Sequence, residues 1–252
     1  MAPDSNVLID QVDKAEDFDQ IFYCVAEAFG RQARDSIWMI VNPGWDTPKG
    51  QQEGAAFFAK RWKSVTTDKD GKSNAIYLKA TVPDPDNPTK RRIVGMAKWQ
   101  QASFIDGYGD PPSDELGENF LKTLEPANAR FATQMFRSLW KRRIAYTKEK
   151  IASDPPAIFV LDMCAVDPAF QRRGIAQKLV QWGLNEAKNR GLECTTEASS
   201  MGRGVYMKLG FQPEGTSDIV YEVDDEFKDW SKPPNLFLRT GITQKMDELS
   251  DR

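Results

Sequence analysis

The sequence predicts a mixed α/β fold, in which helices cover the faces of a central sheet that combines antiparallel and parallel strands. Two neighbouring segments of the first half read as strands and flank a proline-rich stretch, which is typical of an antiparallel pair. The second half alternates strand and helix patterns, and strand–helix–strand connections favour parallel pairing. The chain has 252 residues, of which 40% are hydrophobic, so it can bury a sizeable core in one or two domains.

Two helices and the antiparallel pair are predicted for the first half of the chain. Phe18, Phe22, Val25 and Phe29 recur at helical spacing, which indicates an amphipathic helix. Ile76 begins a stretch in which every second residue is apolar, as in a half-buried strand. Several prolines follow this alternating stretch, and they favour a loop. The predicted elements are helices over 14–29 and 51–64, strands over 76–82 and 92–101, and a hairpin loop over 83–90.

The second half is predicted to begin with a long helix and then to alternate strands and helices. Phe131, Met135 and Leu139 form the apolar stripe of the long helix. Its basic residues over 141–150 suit the helix dipole, and either a solvated face or contact with an anionic ligand would explain them. The predicted elements are a helix over 126–150, a strand over 157–166, a helix over 174–190, a strand over 192–198, a helix over 202–209 and a last strand over 219–223.

The composition excludes several classes of site. The chain has no histidine, which excludes a Ser-His-Asp triad, a Cys-His pair and zinc sites that need imidazole. Cys24, Cys164 and Cys194 are too few and too dispersed for a four-thiolate metal site or a disulfide framework. The formal net charge of −3, from 34 basic and 37 acidic residues, argues against a surface built to grip nucleic acid.

Targeting segments are not expected either. Residues 1–10 lack the basic region of a signal peptide. No stretch approaches ~20 uninterrupted apolar residues, so no membrane span is expected. An odd number of thiols without a secretion signal indicates a reducing compartment, and we therefore expect a cytoplasmic location.

The residues 166–176, which join a predicted buried strand to a predicted helix, are the most informative for function. Helix starts favour acids because their first amides are electropositive, yet no acid occurs over 168–185. Arg172 and Arg173 stand where the helix begins, and Gly174 lets a ligand approach the backbone. Free amides, two guanidinium groups and a glycine describe a pyrophosphate cradle. A solvated basic turn is the alternative.

Two motifs in this region resemble the GNAT N-acetyltransferase superfamily. Gln171-x-x-Gly174-x-Ala176, after Val-x-Pro, resembles the family's acetyl-coenzyme A signature. Downstream, residues 197–211 read Glu-Ala-Ser-Ser-Met-Gly-Arg-Gly-Val-Tyr-Met-Lys-Leu-Gly-Phe and are similar to its late segment, at the expected separation. Residues 93–99 resemble its central strand. The resemblance covers about 76–223, and uncharacterised fungal members look most similar.

The resemblance implies a GNAT-like acyl-CoA N-acyltransferase fold, in which two adjacent parallel strands splay apart at the coenzyme site. We interpret the chain as one acetyltransferase domain over 1–224, with a helical insertion at about 104–152 and a C-terminal tail over 225–252. By resemblance, one group of residues would face the pyrophosphate, a second would run beside the pantetheine arm, and a third would lie near the thioester sulfur. In that order they are Gln171, Arg172, Arg173, Gly174, Ile175, Ala176 and Gln177; Cys164, Ala165 and Val166; and Ser199 and Tyr206.

Tyr206 and Asp162 are the candidate catalytic residues. The ordinary pKa of a tyrosine is ~10 and that of a thiol is ~8.5, so complete proton transfer from the tyrosine to a departing thiolate is unfavourable. Tyr206 would therefore stabilise the thiolate mainly by hydrogen bonding. Asp162 interrupts an apolar strand, so burial should raise its pKa, and on an extended strand it should share a face with Cys164 and Val166. Asp162 is therefore a candidate general base, with Glu197 or a water relay as alternatives. Without histidine, nothing evident activates the cysteines as nucleophiles.

These expectations combine into an acetyl-CoA-dependent N-acetyltransferase that acts by direct transfer to an amine, without a metal. The expected partners are acetyl-CoA and the amine, with no nucleic acid and no membrane. A homodimer is an alternative, because the tail could dock on the domain or on a second copy. Trp38, Trp45, Trp62 and Trp99 could line an acceptor pocket or pack in the core. A non-catalytic acyl-CoA-binding regulatory module and a protein amine as acceptor remain alternative interpretations.

Overall fold

The mixed α/β class predicted from the sequence is confirmed by a computed structural model, which describes residues 6–84 and 86–241. Seven strands form one sheet in the order β1-β2-β3-β4-β5-β7-β6. The strands are β1 Leu8–Gln11, β2 Ala75–Asp84, β3 Asn87–Ala102, β4 Ile158–Val166, β5 Glu193–Ser199, β6 Gln212–Pro213 and β7 Asn235–Arg239. Only β4 and β5 pair in parallel, and the other neighbours are antiparallel.

Helices cover both faces of the sheet. The five predicted helices lie close to their predicted positions, and two short helices over 36–41 and 118–121 were not predicted. The helices are α1 Asp17–Val25, α2 Ser36–Val41, α3 Pro48–Lys63, α4 Glu118–Leu121, α5 Pro126–Glu149, α6 Ile175–Arg190 and α7 Arg203–Lys208. A π-helix, Ala26–Gln32, continues α1 beyond its predicted end. No helix among the described residues is long and apolar enough to cross a membrane.

Each face of the sheet buries its own core. On one face, which we call the α6 face, Leu179 of α6 packs in a cluster with Trp99 of β3. On the opposite face, Phe22 of α1 packs with Met96 of β3. The helix α5 lies on this second face, which we call the α5 face, where Tyr146 packs with β4 and β7. At β4 and β5, therefore, α6 packs on one face of the sheet and α5 packs on the other.

Two segments differ from the sequence prediction at the C-terminal end. The predicted last strand over 219–223 is wrong, because this segment lies in the connection between β6 and β7 and Val220 is 78% exposed. The strand that pairs with β5 is instead β7, which lies within the segment interpreted as a tail. The tail therefore docks on its own sheet as far as residue 241, and residues 242–252 lie outside the described residues. The hairpin loop predicted over 83–90 is also shorter, because β2 and β3 extend into it.

Replacing Gly183 by alanine tests the packing of α6 on the sheet. A Cβ at this position would lie 1.9 Å from Cε2 of Trp99, whose ring is fully buried against Phe159. Because neither the ring nor the helix can move freely, we expect the free energy of unfolding to fall by ~1–3 kcal/mol. Urea unfolding should show a lower midpoint at an unchanged slope. The control Gly204→Ala, which meets nothing within 4 Å, should leave the midpoint unchanged or raise it slightly.

Candidate active site

The parallel strands β4 and β5 separate after three paired residues. Their pairing runs from Ile158 with Glu193 to Val160 with Thr195, and the Thr196 hydroxyl then donates to the Leu161 carbonyl at 3.0 Å. Beyond that point β4 stays paired with β3 as far as Val166, but β5 no longer pairs with it. The edge of residues 162–165 that faces β5 therefore borders an opening, which agrees with the splayed strands that the resemblance implied.

A β-bulge at Asp162 redirects its side chain. The register pairs Lys98 with Met163 and Trp99 with Leu161, so Asp162 is the extra residue. Leu161 and Cys164 consequently pack in the α6-face cluster, whereas Asp162 contacts Lys98 and the helix α5 on the other face. The expectation that Asp162 shares a face with Cys164 and Val166 is wrong, because it assumed an unbroken two-residue alternation.

The loop before α6 has the backbone geometry of an anion cradle. Gly174 lies at φ +78° and precedes the helix without a capping side chain, and Arg172 adopts φ +65°. Left-handed residues alternating with others turn successive N–H groups to one side, which forms an anion-binding concavity. The first turn of α6 contains no acid. Among the described residues, neither Arg172 nor Arg173 forms an ion pair, and Arg173 packs over Phe170 at 5.1 Å. This arrangement suits a pyrophosphate.

Gln171, the first residue of the signature, has a structural task that the sequence did not reveal. Its Nε2 donates to the Val166 carbonyl at 3.0 Å and to Oε1 of Gln32 at 2.8 Å, and Nε2 of Gln32 donates back at 3.0 Å. Gln32 ends the π-helix of the first half. The side chain of Gln171 therefore ties the cradle loop to β4 and to the end of the π-helix.

Tyr206 reaches the opening from the short helix α7. It packs with Cys164 in the same cluster on the α6 face, close enough for the hydroxyl and the thiol to influence each other's pKa. Burial raises the pKa of Tyr206 well above its ordinary value and raises the pKa of Cys164 to about 12. Both groups therefore keep their protons at neutral pH, which makes Tyr206 a hydrogen-bond donor and Cys164 a poor nucleophile. Burial also raises the pKa of Cys194 to about 12.

Ser199 ends β5 beside the same turn. Its Oγ accepts from the Gly202 amide at 3.3 Å, and a Cβ on Gly202 would lie 2.9 Å from Oη of Tyr206. Ser199 thus shapes the turn that carries α7, and the glycine lets the tyrosine ring approach the backbone. These contacts bring the late motif of the sequence to the opening between β4 and β5.

Four charged side chains, two of them buried and two partly buried, meet on the α5 face of the opening. Arg143 of α5 donates from Nη1 to Oδ1 of Asp162 at 2.9 Å, from Nε to Oε1 of Glu197 at 3.2 Å, and from Nη2 to Oε2 of Glu197. Lys98 of β3 donates to Oδ2 of Asp162 at 2.8 Å. The Glu197 side chain is only 4% exposed. One guanidinium therefore connects a carboxylate on β4 with a carboxylate on β5.

Sequence reasoning missed Arg143 and Lys98. The basic residues over 141–150 suggested a solvated face or an anion site, but Lys141, Arg142 and Lys150 pair with acids on other elements. A signal for Arg143 was present, because it continues the apolar stripe of α5 four residues after Leu139 and so belongs to the inward side of the helix.

The ion pairs also reverse the expected titration of Asp162. Burial alone would raise its pKa, but the charges of Lys98 and Arg143 outweigh burial and hold that pKa well below its usual range. The expectation of a raised pKa is therefore wrong. For Glu197, burial raises the pKa and the charge of Arg143 opposes the rise. Burial lowers the pKa of Lys98.

Asp162→Asn is expected to lower stability without reshaping the pH–rate profile. Because the folded pKa lies below the unfolded value of ~3.9, the carboxylate's contribution is fully present above that value and is lost as pH falls through the folded pKa. The variant should lose ~1–3 kcal/mol at pH 7 and show a weaker loss of stability below pH ~4. Melting temperatures from pH 3 to 7 measure this. An unchanged melting temperature with a lost acidic limb of activity would restore Asp162 as the base.

Tyr221 packs beside α2 and α5, in a cluster with Ile37 and Phe131. Its Oη is buried and makes no hydrogen bond within the described part of the chain. Burial raises its pKa, and the carboxylates of Asp35, Glu197 and Asp218 act in the same direction, so these groups lie around it. Tyr221 belongs to the long connection between β6 and β7, which sequence reasoning assigned to a strand.

Three of the four tryptophans considered for an acceptor pocket, Trp38, Trp45 and Trp62, pack in the α5-face core, and Trp99 lies on the other face. Trp38 and Trp45 contact each other with ring centroids 5.8 Å apart. Trp62 packs on Phe18, with centroids 5.8 Å apart. Trp99 is fully buried on the α6 face. Trp99 is therefore a core residue.

Comparison with known proteins agrees with this geometry. Residues 140–213 match the family model of the acetyltransferase (GNAT) domain. The matched GNAT segment contains Arg143, the opening, the cradle loop and Tyr206. It spans less than half of the chain, and no curated protein matches the sequence.

Solved structures show that the whole described chain has the GNAT acetyltransferase fold. An agmatine N-acetyltransferase in its apo form is 12% identical, with a TM-score of 0.58 over 93% of this chain and 97% of that chain. Arylalkylamine N-acetyltransferase 2 from Aedes aegypti is 18% identical, with a TM-score of 0.56 over 95% of this chain and 100% of that chain. A polyamine N-acetyltransferase from Drosophila melanogaster is 12% identical, with a TM-score of 0.50 over 92% of this chain and 97% of that chain.

Proposed function

We propose that this chain is an acetyl-CoA-dependent N-acetyltransferase that transfers the acetyl group directly to an amine. The observation that carries the proposal is the opening between β4 and β5, flanked by the left-handed loop at Gly174 and by the hydroxyl of Tyr206. The match of residues 140–213 to the GNAT domain supports it.

The residues around the opening fit the coenzyme in three parts. The amides of residues 172–177 would hold the pyrophosphate, because they lie at the start of α6 beside Arg172 and Arg173, which form no ion pair with any described residue. The free edge of β4 near Cys164 and Ala165 would run beside the pantetheine arm as an added strand does. The Val166 carbonyl already accepts from Gln171, so its role there is to fix the loop.

Acetyl-CoA would supply the reactive thioester at this opening. The amine nitrogen would form a bond to the acyl carbon while the carbon–sulfur bond breaks. Tyr206 would then donate a hydrogen bond from its hydroxyl to the leaving sulfur. Because its pKa is raised, its proton stays largely on the oxygen, and the thiolate finally takes up a proton from solvent.

Water is the proposed acceptor for the amine proton. Asp162 is held in its ionised form by Lys98 and Arg143, which makes it a weak base. Both oxygens of Glu197 accept from Arg143, so a substrate would have to displace the guanidinium to use them. An acceptor bound at the opening could instead release its proton to water.

A small amine is the proposed acceptor. The structurally similar proteins named above act on agmatine, arylalkylamines or polyamines, which are all small amines. The aromatic rings of Trp38 and Trp45, which pack together on the α5 face, offer an apolar wall for such a molecule. A protein amine remains the alternative acceptor.

Two measurements on the full chain test the proposal. Calorimetry should detect acetyl-CoA binding, and release of free thiol should appear when a panel of small amines is added, with acetylated products identified by mass spectrometry. Binding without transfer to small amines or to peptide amines would favour the alternative of a regulatory module. Absence of binding would contradict the proposed function.

A further inference from the structure

We propose that Arg143 is a positioning residue that sets the separation of β4 and β5 and thereby aligns the acyl end of the coenzyme. This inference rests on the proposed function. Its starting point is the guanidinium that binds Asp162 on one strand and Glu197 on the other, just beyond the place where the strand pairing ends.

The location of these contacts is specific to the opening. The last paired residues are Val160 and Thr195, so Asp162 and Glu197 each lie two residues further along their strands. Beyond the hydrogen bond from Thr196 to Leu161, no backbone hydrogen bond joins the two strands among the described residues, and the side chain of Arg143 binds both of them. Any change in that link would change the width of the opening directly.

Docking of α5 does not depend on this link. Tyr146 and Lys150 both donate to Glu193 on β5, with the lysine at 2.6 Å, and Arg142 donates to Glu214 at 2.8 Å. Loss of the Arg143 contacts would therefore leave the helix attached at its C-terminal end. If Arg143 served only to anchor α5 to the sheet, its attachment inside the opening would not be needed.

The chemistry of arginine explains why this residue type suits the task. A planar guanidinium donates from Nε and both Nη groups in fixed directions, so it can hold two carboxylates at a defined distance. A lysine in the same place would keep the positive charge but would satisfy both carboxylates less well and with more freedom. The coenzyme cradle at Gly174 lies on a different element, the loop before α6, and has no contact with Arg143.

The test compares two ligands in the variant Arg143→Lys. The probe 3′-phosphoadenosine 5′-diphosphate carries the pyrophosphate without the pantetheine arm, whereas acetyl-CoA carries both. Calorimetry should give a nearly unchanged Kd for the nucleotide and a Kd for acetyl-CoA that is weaker by about tenfold, which corresponds to ~1.4 kcal/mol. The turnover rate with the identified amine should also fall by about tenfold or more.

A matched control and a second variant complete the experiment. Arg142→Lys changes the adjacent arginine, which pairs with Glu149 and Glu214 outside the opening, and should behave as the unmodified protein does. Glu197→Gln weakens the link from the β5 side and should repeat the pattern of Arg143→Lys. Melting temperatures of all variants show whether each is folded under the conditions of binding.

The possible outcomes separate this inference from the proposed function. An unchanged ratio of the two affinities together with unchanged turnover would overturn the role of Arg143. An equal loss of both affinities with a lower melting temperature would also overturn it, because it would indicate a structural role alone. An unmodified protein that binds neither ligand would remove the proposed function, and the positioning role with it.

Discussion

Gly174→Val is expected to weaken acetyl-CoA binding by at least ~100-fold. The residue lies at φ +78°, where a β-branched side chain is strongly disfavoured, so the loop would have to change its backbone conformation. That change would turn the amides at the start of α6 away from the pyrophosphate, and the added methyl groups would obstruct its approach. Calorimetry with acetyl-CoA measures the effect directly.

A second glycine with nearly the same backbone angle provides the control for strain. Gly71 lies at φ +76° in an exposed turn, and a Cβ there would meet nothing within 4 Å. Gly71→Val should therefore lose stability by a similar amount but retain acetyl-CoA binding. If folded Gly174→Val binds acetyl-CoA as tightly as the unmodified protein does, the loop before α6 is not the pyrophosphate cradle.

Tyr206→Phe is expected to lower turnover by ~100-fold or more while coenzyme affinity changes little. The hydroxyl would assist thiolate departure mainly in the transition state, and interactions of that kind affect the turnover rate more than ground-state binding. The phenylalanine keeps the ring in its cluster with Phe211, so the packing of α7 should survive. Steady-state kinetics with the identified amine, together with calorimetry, separates the two effects.

Two further variants identify the cause of that loss. Cys164→Ala removes the thiol that packs beside Tyr206 without removing the hydroxyl, and it should retain most of the turnover. Tyr146→Phe removes a buried hydroxyl outside the opening, which donates to Glu193, and should also retain turnover. Normal turnover in Tyr206→Phe would falsify the assignment of Tyr206.

Local periodicity predicted most of the fold. The apolar spacing of α5 and α6, and the alternation of β2, depend on neighbours in the chain, so their limits agree with the structure to within a few residues. The order of the last strands depends on distant contacts. Residues 219–223 have a strand-like composition, but they pack against α5 through Glu222, whereas β7 finds its partner in β5.

The candidate site was predictable only where it lies on short contiguous motifs. Gly174 and Tyr206 could be recognised because each belongs to a short motif, and the resemblance assigns a role to each position of that motif. Arg143 and Lys98 were missed because their partner Asp162 lies on another element, and an ion pair between elements leaves no local pattern. The bulge at Asp162 was equally invisible, since one extra residue in a strand has no compositional signature.

Amide hydrogen exchange with and without acetyl-CoA tests the central claim most directly, because it locates the bound coenzyme without assuming an acceptor. We predict slower exchange on binding at two places, the amides of residues 172–177 and the free edge of β4 over 162–165. The turn at residues 68–72 should be unaffected. Protection confined to other parts of the chain, or no protection at saturating acetyl-CoA, would contradict the assignment of the opening between β4 and β5 as the coenzyme site.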